Sequence, residues 1–137
     1  MKVLVIYCKE FSYFPASKTL PDMEEVTSGK TFMDCIVAFI QVEAEDEEKD
    51  LPSREKKLVN HLKWTARKNN TSTILLHSFA HLSESKASIG YTKALFDLAE
   101  KRLTNGGYSS GQTPFGYFLD LNINAPGFSL ARIWTSL

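Results

Sequence analysis

The chain has 137 residues, which suits one folded domain with its own hydrophobic core, and we expect a single domain over residues 1–137. Its 43% apolar and 23% charged content is ordinary for a soluble globular protein. Lysine plus arginine and aspartate plus glutamate number 16 each, so the near-zero net charge excludes a global attraction to nucleic acid and leaves only local RNA contacts.

The N-terminal segment is apolar but too short for a signal peptide or a membrane span, and it predicts a first buried strand over Lys2–Cys8. The aromatic residues at 11–14 predict a second strand, paired with the first through a turn at 9–10 that contains neither glycine nor asparagine. Cys8 and Cys35 lack the spacing of a disulfide framework. This favours a reduced, cytoplasmic protein in which both thiols act as small buried hydrophobes.

The next part of the chain predicts a connection and then a long strand. Residues 20–30 form the connection, since they contain Pro21 and Gly29. The apolar, β-branched and aromatic run at 31–43 predicts a strand buried on both faces. The acidic run at 43–50 is typical of a solvated loop and lacks the spacing of a calcium-binding loop.

Two helices are predicted from apolar residues at helical spacing. The first covers Ser53–Asn69, with Ser53 as its N-cap. Its outer face is basic, which indicates either a solvated surface or a face that attracts RNA phosphate; the cations are Lys56, Lys57, Lys63, Arg67 and Lys68. The second helix runs from about Ser85 to Leu103 and stops before Gly106-Gly107.

Four further segments complete the predicted sheet. One strand covers 73–79, between the helices, and a short strand or loop covers 108–111. The last two strands, at 115–124 and 128–135, are predicted to form a hairpin through a turn at 124–127. The order of elements predicts a mixed α/β or α+β domain, in which two helices pack on a curved sheet.

A pocket is predicted where two short stretches meet. Thr73–Ser83 opens as a strand and ends in small and polar residues, and the carboxyl end of such a strand is a common ligand site. Pro114–Phe118 is an aromatic cluster framed by proline and glycine. We expect the two stretches to face each other and form one pocket.

The histidines carry different predictions. His77 and His81 lie four residues apart, but positions four apart in a strand are roughly 13 Å from each other, which disfavours a metal pair. His77 is predicted to be a hydrogen-bonded structural residue and His81 a functional side chain of the pocket. His61, on the outer half of a helix, is predicted to be inert.

Other catalytic signatures are weak or missing. Ser83 and Ser85 have no nucleophile-elbow sequence around them, so helix capping is the favoured role. The sequence contains neither a P-loop nor a dinucleotide-binding glycine motif, so nothing indicates a nucleotide cofactor. The aromatic residues of the pocket belong either to the core or to a platform on which a terminal adenine stacks.

Four stretches recur in this order in one family. They are Met1-Lys-Val-Leu-Val-Ile6, Val37-Ala-Phe-Ile40 with Val42-Glu43, Phe79-Ala-His-Leu-Ser83 and Pro114-Phe-Gly-Tyr117. In these stretches the chain resembles the N-terminal editing domain of archaeal-type threonyl-tRNA synthetases, from residue 1 to about Ile133. The resemblance implies the fold of D-aminoacyl-tRNA deacylases, with a curved sheet or partial barrel and two main helices.

The resemblance also implies a task, a site and partners. The domain would hydrolyse Ser-tRNA(Thr) without a cofactor or metal, with the 2′-OH of the terminal adenosine and pocket backbone groups activating the water. His81 is the candidate catalytic side chain. The substrate-binding residues would be Val42, Ser78, Phe79, Ala80, His81, Phe115, Gly116, Tyr117 and Phe118. The expected partners are the serine-charged 3′ end of tRNA(Thr), a second copy of the domain, and synthetase domains in the same or a separate chain, with no membrane.

The chain departs from the family pattern at three positions. Many members have a lysine where this chain has Leu119, a glutamate in the last strand where it has Arg132, and a proline where it has Ser78. Because Leu119 cannot donate a proton or stabilise a charge, either activity is impaired or backbone and RNA carry the reaction, and we favour the second explanation. A D-aminoacyl-tRNA deacylase and a non-catalytic tRNA-binding or dimerisation appendage remain as alternatives.

Overall fold

One long strand organises the sheet. The computed structural model describes all residues from Met1 to Leu137. Strand β1 (Lys2–Lys18) pairs along one edge with the antiparallel strand β2 (Lys30–Gln41). The remaining elements are α1 (Leu51–Lys68), β3 (Thr73–Ser78), α2 (Ile89–Asn105), β4 (Ser109–Gln112), β5 (Tyr117–Asn124) and β6 (Arg132–Ser136), with 3-10 helices at Ala44–Glu48 and Ser129–Ala131.

The six strands form a mixed sheet in the order β4-β3-β2-β1-β5, with β6 also paired to β1. Strands β2, β3 and β4 are parallel to one another, whereas β1 is antiparallel to its three neighbours. The sheet curls into a half-barrel with two helices, so the predicted mixed α/β class and curved sheet are confirmed.

The sheet is apolar on both faces. One face joins the helices in a cluster of 17 buried residues that includes Val3, Ile36 and Leu62. The other face carries a cluster of 7 buried residues that includes Cys8, Cys35 and Phe39. The prediction that β2 is buried on both faces is therefore confirmed for its second half, and both cysteines are free, buried thiols.

The predicted N-terminal hairpin is wrong, because β1 runs through the proposed turn without interruption. Glu10 pairs with Met33 of β2 on one edge and with Asn124 of β5 on the other. Hydrogen bonding on both edges keeps the backbone extended where no glycine or asparagine favours a turn.

The predicted C-terminal hairpin is also wrong. Strand β5 pairs with residues 10–18 of β1 and β6 pairs with residues 2–6, so the last two strands lie end to end along one edge. The connection between them includes the 3-10 helix Ser129–Ala131. A 17-residue strand offers an edge long enough for two short partners.

The acidic segment is not simply a solvated loop. It forms the 3-10 helix Ala44–Glu48, and the side chains of Glu43 and Asp46 are buried. Asp46 forms ion pairs with Arg54 at 2.7 Å and with the Met1 ammonium at 3.1 Å. Buried charges are tolerated when they are paired in this way.

The ends of the helices differ slightly from the prediction. Asp50, not Ser53, caps α1, because its carboxylate accepts a hydrogen bond from the Ser53 N–H at 3.1 Å. Helix α2 begins at Ile89 with Ser88 as its N-cap. It ends before Gly107, whose φ of 90° confirms the predicted glycine stop. Neither helix is long and apolar enough to cross a membrane.

Candidate functional site

A cavity of about 530 Å³ lies at the carboxyl ends of β2 and β3. The two stretches singled out in the sequence both line it. All the residues predicted to bind substrate are among the lining residues, namely Val42, Ser78, Phe79, Ala80, His81, Phe115, Gly116, Tyr117 and Phe118. The structure therefore brings these residues together, and their roles in binding stay predictions.

One wall of the cavity is the loop between β3 and α2, residues 79–88, which is tied to the end of β2. The Phe79 N–H donates to the Ile40 carbonyl at 3.0 Å, and the Ala87 N–H donates to the Val42 carbonyl at 2.9 Å. These two bonds hold both ends of the loop against the sheet.

Gln41 holds the middle of this loop. Its side-chain oxygen accepts hydrogen bonds from the N–H groups of Leu82 and Ser83, both at 2.7 Å. Its side-chain nitrogen donates to the carbonyls of Ser83 and Ser85 at 2.8 and 2.9 Å. Gln41 was not predicted from the sequence as a residue of the site. The available signal was a polar residue at the end of an otherwise apolar strand, where a buried amide needs partners.

Glu43 adds a second tie to the same loop. Its carboxylate accepts hydrogen bonds from the Ser83 hydroxyl at 2.6 Å and from the Met1 ammonium at 2.7 Å. Burial opposes ionisation of Glu43, but these two bonds outweigh it and lower its pKa to about 2. The carboxylate therefore stays charged and fixed beside the loop.

The predicted capping roles of Ser83 and Ser85 are wrong. The Ser83 hydroxyl donates to Glu43 and accepts a hydrogen bond from the Ser85 N–H at 3.1 Å. The Ser85 hydroxyl accepts a hydrogen bond from the Ala44 N–H at 2.9 Å. Both serines fasten the loop to the acidic segment, and Ser88 caps the helix.

His77 is buried and hydrogen-bonded, as predicted, and its structural role stays a prediction. It is buried, its Nδ1 lies 2.8 Å from the Thr113 hydroxyl, and its ring meets that of Phe39 edge-on at 5.0 Å. Burial lowers the pKa of His77 to about 4, so the imidazole is neutral at physiological pH.

His81 is exposed at the cavity. Its ring packs on the edge of the Phe79 ring, with 4.9 Å between centroids, and makes no polar contact within the chain. Phe79 in turn packs edge-on against Phe39 at 5.2 Å. The aromatic rings thus connect the His81 imidazole to the second core cluster and leave its nitrogens free for a ligand.

The facing wall is held by residues 19–26. The Tyr117 hydroxyl donates to the Glu24 carbonyl at 2.7 Å and accepts from the Val26 N–H at 2.9 Å, so it is already occupied. The Gly116 carbonyl accepts a hydrogen bond from the Thr19 N–H at 2.7 Å. Tyr117 therefore offers the cavity its ring rather than its hydroxyl.

The departures from the family pattern fall in different places. Leu119 lines the cavity as an apolar wall and packs against the second core cluster. Arg132 is not among the lining residues and donates to the Pro126 carbonyl at 2.6 Å. Lys86 does line the cavity, and it is the one lysine, arginine, aspartate or glutamate that does. Lys86 was not predicted from the sequence as a residue of the site.

The chemistry available in the cavity comes mainly from the main chain. The N–H groups of Ala80, His81, Phe115 and Gly116 donate to no other main-chain group. No carboxylate or thiol lines the cavity. Free N–H groups are suited to bind an oxyanion or a carbonyl oxygen, and an imidazole is the titratable group beside them. The chain contains no cluster of three or more side chains that could hold a metal ion.

Comparison with known proteins gives a consistent result. Residues 1–137 match the model of a family described as the archaea-specific editing domain of threonyl-tRNA synthetase. Curated relatives include threonine–tRNA ligases of Hyperthermus butylicus, 27% identical, and of Thermococcus sibiricus and Pyrococcus furiosus, each 29% identical. Each alignment covers 97% of this chain, and the chain spans only 22% of each relative's length.

A solved structure shares the fold. The structure of a c-Myc DNA Unwinding Element Binding Protein superimposes with a TM-score of 0.62, covering 100% of this chain and 99% of that one. The sequence identity is 16%, so the likeness concerns the fold alone.

Proposed function

Because the chain belongs to the family of archaea-specific editing domains of threonyl-tRNA synthetase, we propose that it removes serine from mischarged Ser-tRNA(Thr) by hydrolysis. The observation that carries the proposal is the cavity in which the Phe79–Ser83 and Pro114–Tyr117 stretches face each other. Both are stretches by which the sequence resembles the family.

The need for such an activity follows from the size of the amino acids. A synthetic site for threonine cannot strongly reject serine, because one missing methyl group is worth only about 1–3 kcal/mol. A second site that admits serine and sterically excludes threonine removes the error. Apolar wall residues such as Val42 and Leu119 are suited to this exclusion.

The proposed mechanism relies on an ester bond that is already activated in the substrate. An aminoacyl ester needs a positioned water and donors aimed at the developing oxyanion. The free N–H groups of Ala80 and His81 on one wall, and of Phe115 and Gly116 on the other, are the candidate donors. The family resemblance implies that the 2′-OH of the terminal adenosine helps to activate the water, and this is compatible with a cavity lined by no carboxylate.

His81 is the one side chain in this proposal with a possible acid–base role. Its exposed imidazole has no partner in the chain, which leaves it free to contact the terminal adenosine or the water. His77 is disfavoured for that role because its ring is buried, its Nδ1 is engaged by Thr113, and a pKa of about 4 makes its imidazole a weak base. The aromatic rings of Phe79, Phe115, Tyr117 and Phe118 offer surfaces on which the adenine could stack.

The proposed setting is translation in the cytoplasm. The expected macromolecular partner is the 3′ end of tRNA(Thr), and the domain would act beside a threonine–tRNA ligase in the same or a separate chain. Pairing of two copies is part of the proposal. No metal or organic cofactor is assigned to the hydrolysis.

The deciding experiment compares three substrates. The domain is incubated with Ser-tRNA(Thr), with Thr-tRNA(Thr), and with Ser-tRNA(Thr) ending in 2′-deoxyadenosine. We expect fast loss of serine, slow loss of threonine and little loss from the deoxy substrate. Serine lost no faster than in buffer would contradict the proposal and favour a non-catalytic tRNA-binding appendage. Fast hydrolysis of a D-aminoacyl-tRNA instead would indicate the D-aminoacyl-tRNA deacylase alternative.

A further inference from the structure

We propose that Lys86 forms a phosphate subsite at the edge of the cavity, which binds a phosphodiester group next to the terminal nucleotide of the substrate RNA. The inference rests on the proposed function, because that function identifies RNA as the molecule that enters this cavity. It identifies a positioning residue that neither the sequence motifs nor the family resemblance indicates.

Lys86 gives the cavity lining its positive charge. Among the lining residues, Lys86 is the one lysine or arginine, and no aspartate or glutamate is present. The Lys86 ammonium forms no ion pair and no hydrogen bond within the chain. A solvated ammonium that is not already neutralised is the group that a phosphodiester anion can contact with the least competition.

Hydrogen bonds of the two neighbouring residues hold the backbone at Lys86. The preceding residue, Ser85, is fixed through its carbonyl by Gln41 at 2.9 Å and through its hydroxyl by Ala44 at 2.9 Å. The following residue, Ala87, is fixed by its N–H bond to the Val42 carbonyl. The lysine therefore has an anchored Cα and an exposed side chain, so binding a ligand requires ordering of that side chain only.

The charges of the substrate determine which part of it can contact Lys86. A seryl ester carries an α-ammonium group, and a lysine close to it would repel the substrate. The phosphodiester backbone is the anionic part of the RNA, and Lys86 lies on the exposed loop rather than in the buried part of the wall. This assigns Lys86 to the phosphate rather than to the amino acid.

The subsite also bears on the departure at Leu119. Leucine at that position gives the cavity wall no charge, so positive charge reaches the cavity from the loop between β3 and α2 instead of from β5. A cation on the loop would position the RNA by binding its phosphate, whereas the free N–H groups would bind the reacting ester.

The test is the salt dependence of deacylation. We expect Lys86→Gln to raise KM for Ser-tRNA(Thr) about three- to tenfold at low salt, with kcat unchanged, since one charge-assisted contact is lost. The slope of log KM against log salt concentration should fall by about 0.7, the value for one phosphate contact on a single strand. Lys86→Arg should restore both values toward those of the wild-type domain.

The control is Lys101→Gln, which removes an exposed lysine from α2 about 18 Å along the helix from its first residue. This variant should match the wild-type domain in KM and in salt slope. Equal slopes for wild type and Lys86→Gln would overturn the subsite, as would a loss confined to kcat.

A second measurement separates failure of the subsite from failure of the proposed function. Binding of a short RNA that ends like a tRNA 3′ end and carries no amino acid can be measured without hydrolysis. Weaker binding by Lys86→Gln, with the smaller salt slope, supports the subsite even if the wild-type domain does not discriminate serine. Identical binding by wild type and variant overturns the subsite even if deacylation is serine-specific.

Discussion

Gln41 and Ser83 exchange two hydrogen bonds across the cavity wall: the Gln41 side-chain oxygen accepts from the Ser83 N–H at 2.7 Å, and its nitrogen donates to the Ser83 carbonyl at 2.8 Å. The side chain thus pairs with the main chain as a neighbouring strand would. Because Gln41 is buried, water does not replace these bonds readily. The loop that carries His81 and Lys86 therefore depends on a residue of β2 for its shape.

Replacement of Gln41 should loosen this loop. Gln41→Ala removes four hydrogen bonds and leaves partly buried main-chain groups without partners, which should cost about 2–4 kcal/mol of unfolding free energy. Denaturant titration measures the loss, and faster hydrogen exchange at Leu82 and Ser83 locates it. The matched control is Gln112→Ala, whose amide donates to Asp97 at an exposed position and should cost about 1 kcal/mol or less. Equal losses in the two variants would contradict the role of Gln41.

His77 should make stability depend on pH. Burial lowers its pKa from 6.5 to about 4, so the unfolded chain takes up a proton here before the folded protein does. Stability should therefore be complete above about pH 6.5 and should fall by up to about 3 kcal/mol as the pH drops to about 4. His77→Asn keeps a partner for Thr113 and removes the titration. The denaturation midpoint of this variant should change less than that of the wild-type protein between pH 6.5 and 4.5, a range above the pH at which Glu43 titrates. Parallel curves of midpoint against pH for the two proteins would show that His77 does not cause the pH dependence.

The Arg54–Asp46 ion pair should be important for stability because both side chains are only 2% exposed. Arg54→Met leaves the Asp46 carboxylate with the Met1 ammonium as its remaining cation and removes a hydrogen bond to the Leu137 carbonyl. We expect a loss of about 3 kcal/mol in thermal or denaturant unfolding. Lys93→Met is the control, since its pair with Asp97 is exposed at 39% and 54% and should contribute below about 1 kcal/mol. Similar losses for both would show that burial of the pair does not matter.

Gly116 should tolerate no side chain. Its φ is 80°, and an added Cβ would lie 2.7 Å from Met23 Cγ and 3.1 Å from Leu20 Cβ. Gly116→Ala should cost about 1–2 kcal/mol for the left-handed backbone and also displace the cavity wall formed by Leu20. Gly107→Ala provides the comparison, because its φ is 90° but nothing lies within 4 Å of an added Cβ. Both should lose stability, whereas Gly116→Ala alone should lose deacylation in a single-turnover assay.

His81 should matter less than the RNA hydroxyl if the reaction is assisted by the substrate. His81→Ala should lower the single-turnover rate about tenfold or less, since it removes a contact but not the group that activates the water. A general base contributes about 10²–10⁴-fold, together with a pH profile that disappears when it is removed. A loss of that size, with a flattened profile, would assign the base to His81 and remove that role from the 2′-OH.

Local sequence patterns were sufficient to predict most of the helices and strands and the candidate walls of the site. Apolar periodicity predicted both helices and the strand β2, because a buried face requires apolar residues at the spacing of the element. The carboxyl end of β3 and the stretch Pro114–Phe118 were predicted to form a pocket, and both line the cavity. Both stretches were recognisable because their small residues, proline and glycine lie within a few residues of one another in the sequence.

Tertiary structure alone decided which distant segments pair. Glu10 continues β1 because it pairs with strands on both edges, and β6 pairs with β1 rather than with β5, although a local pattern favoured hairpins at both places. Strand pairing depends on which edges remain available after folding. No turn or propensity signal contains that information.

The roles of the polar residues of the site also depend on contacts between distant segments. Gln41 and Glu43 read as a strand end and an acidic run until the fold brings Ser83 within hydrogen-bonding distance, about 40 residues away in sequence. Lys86 is an ordinary surface lysine in the sequence, and it is distinctive only because no other charged residue lines the cavity. Burial of a polar group and the charge of a cavity depend on several distant segments at once, so neither can be predicted from local sequence.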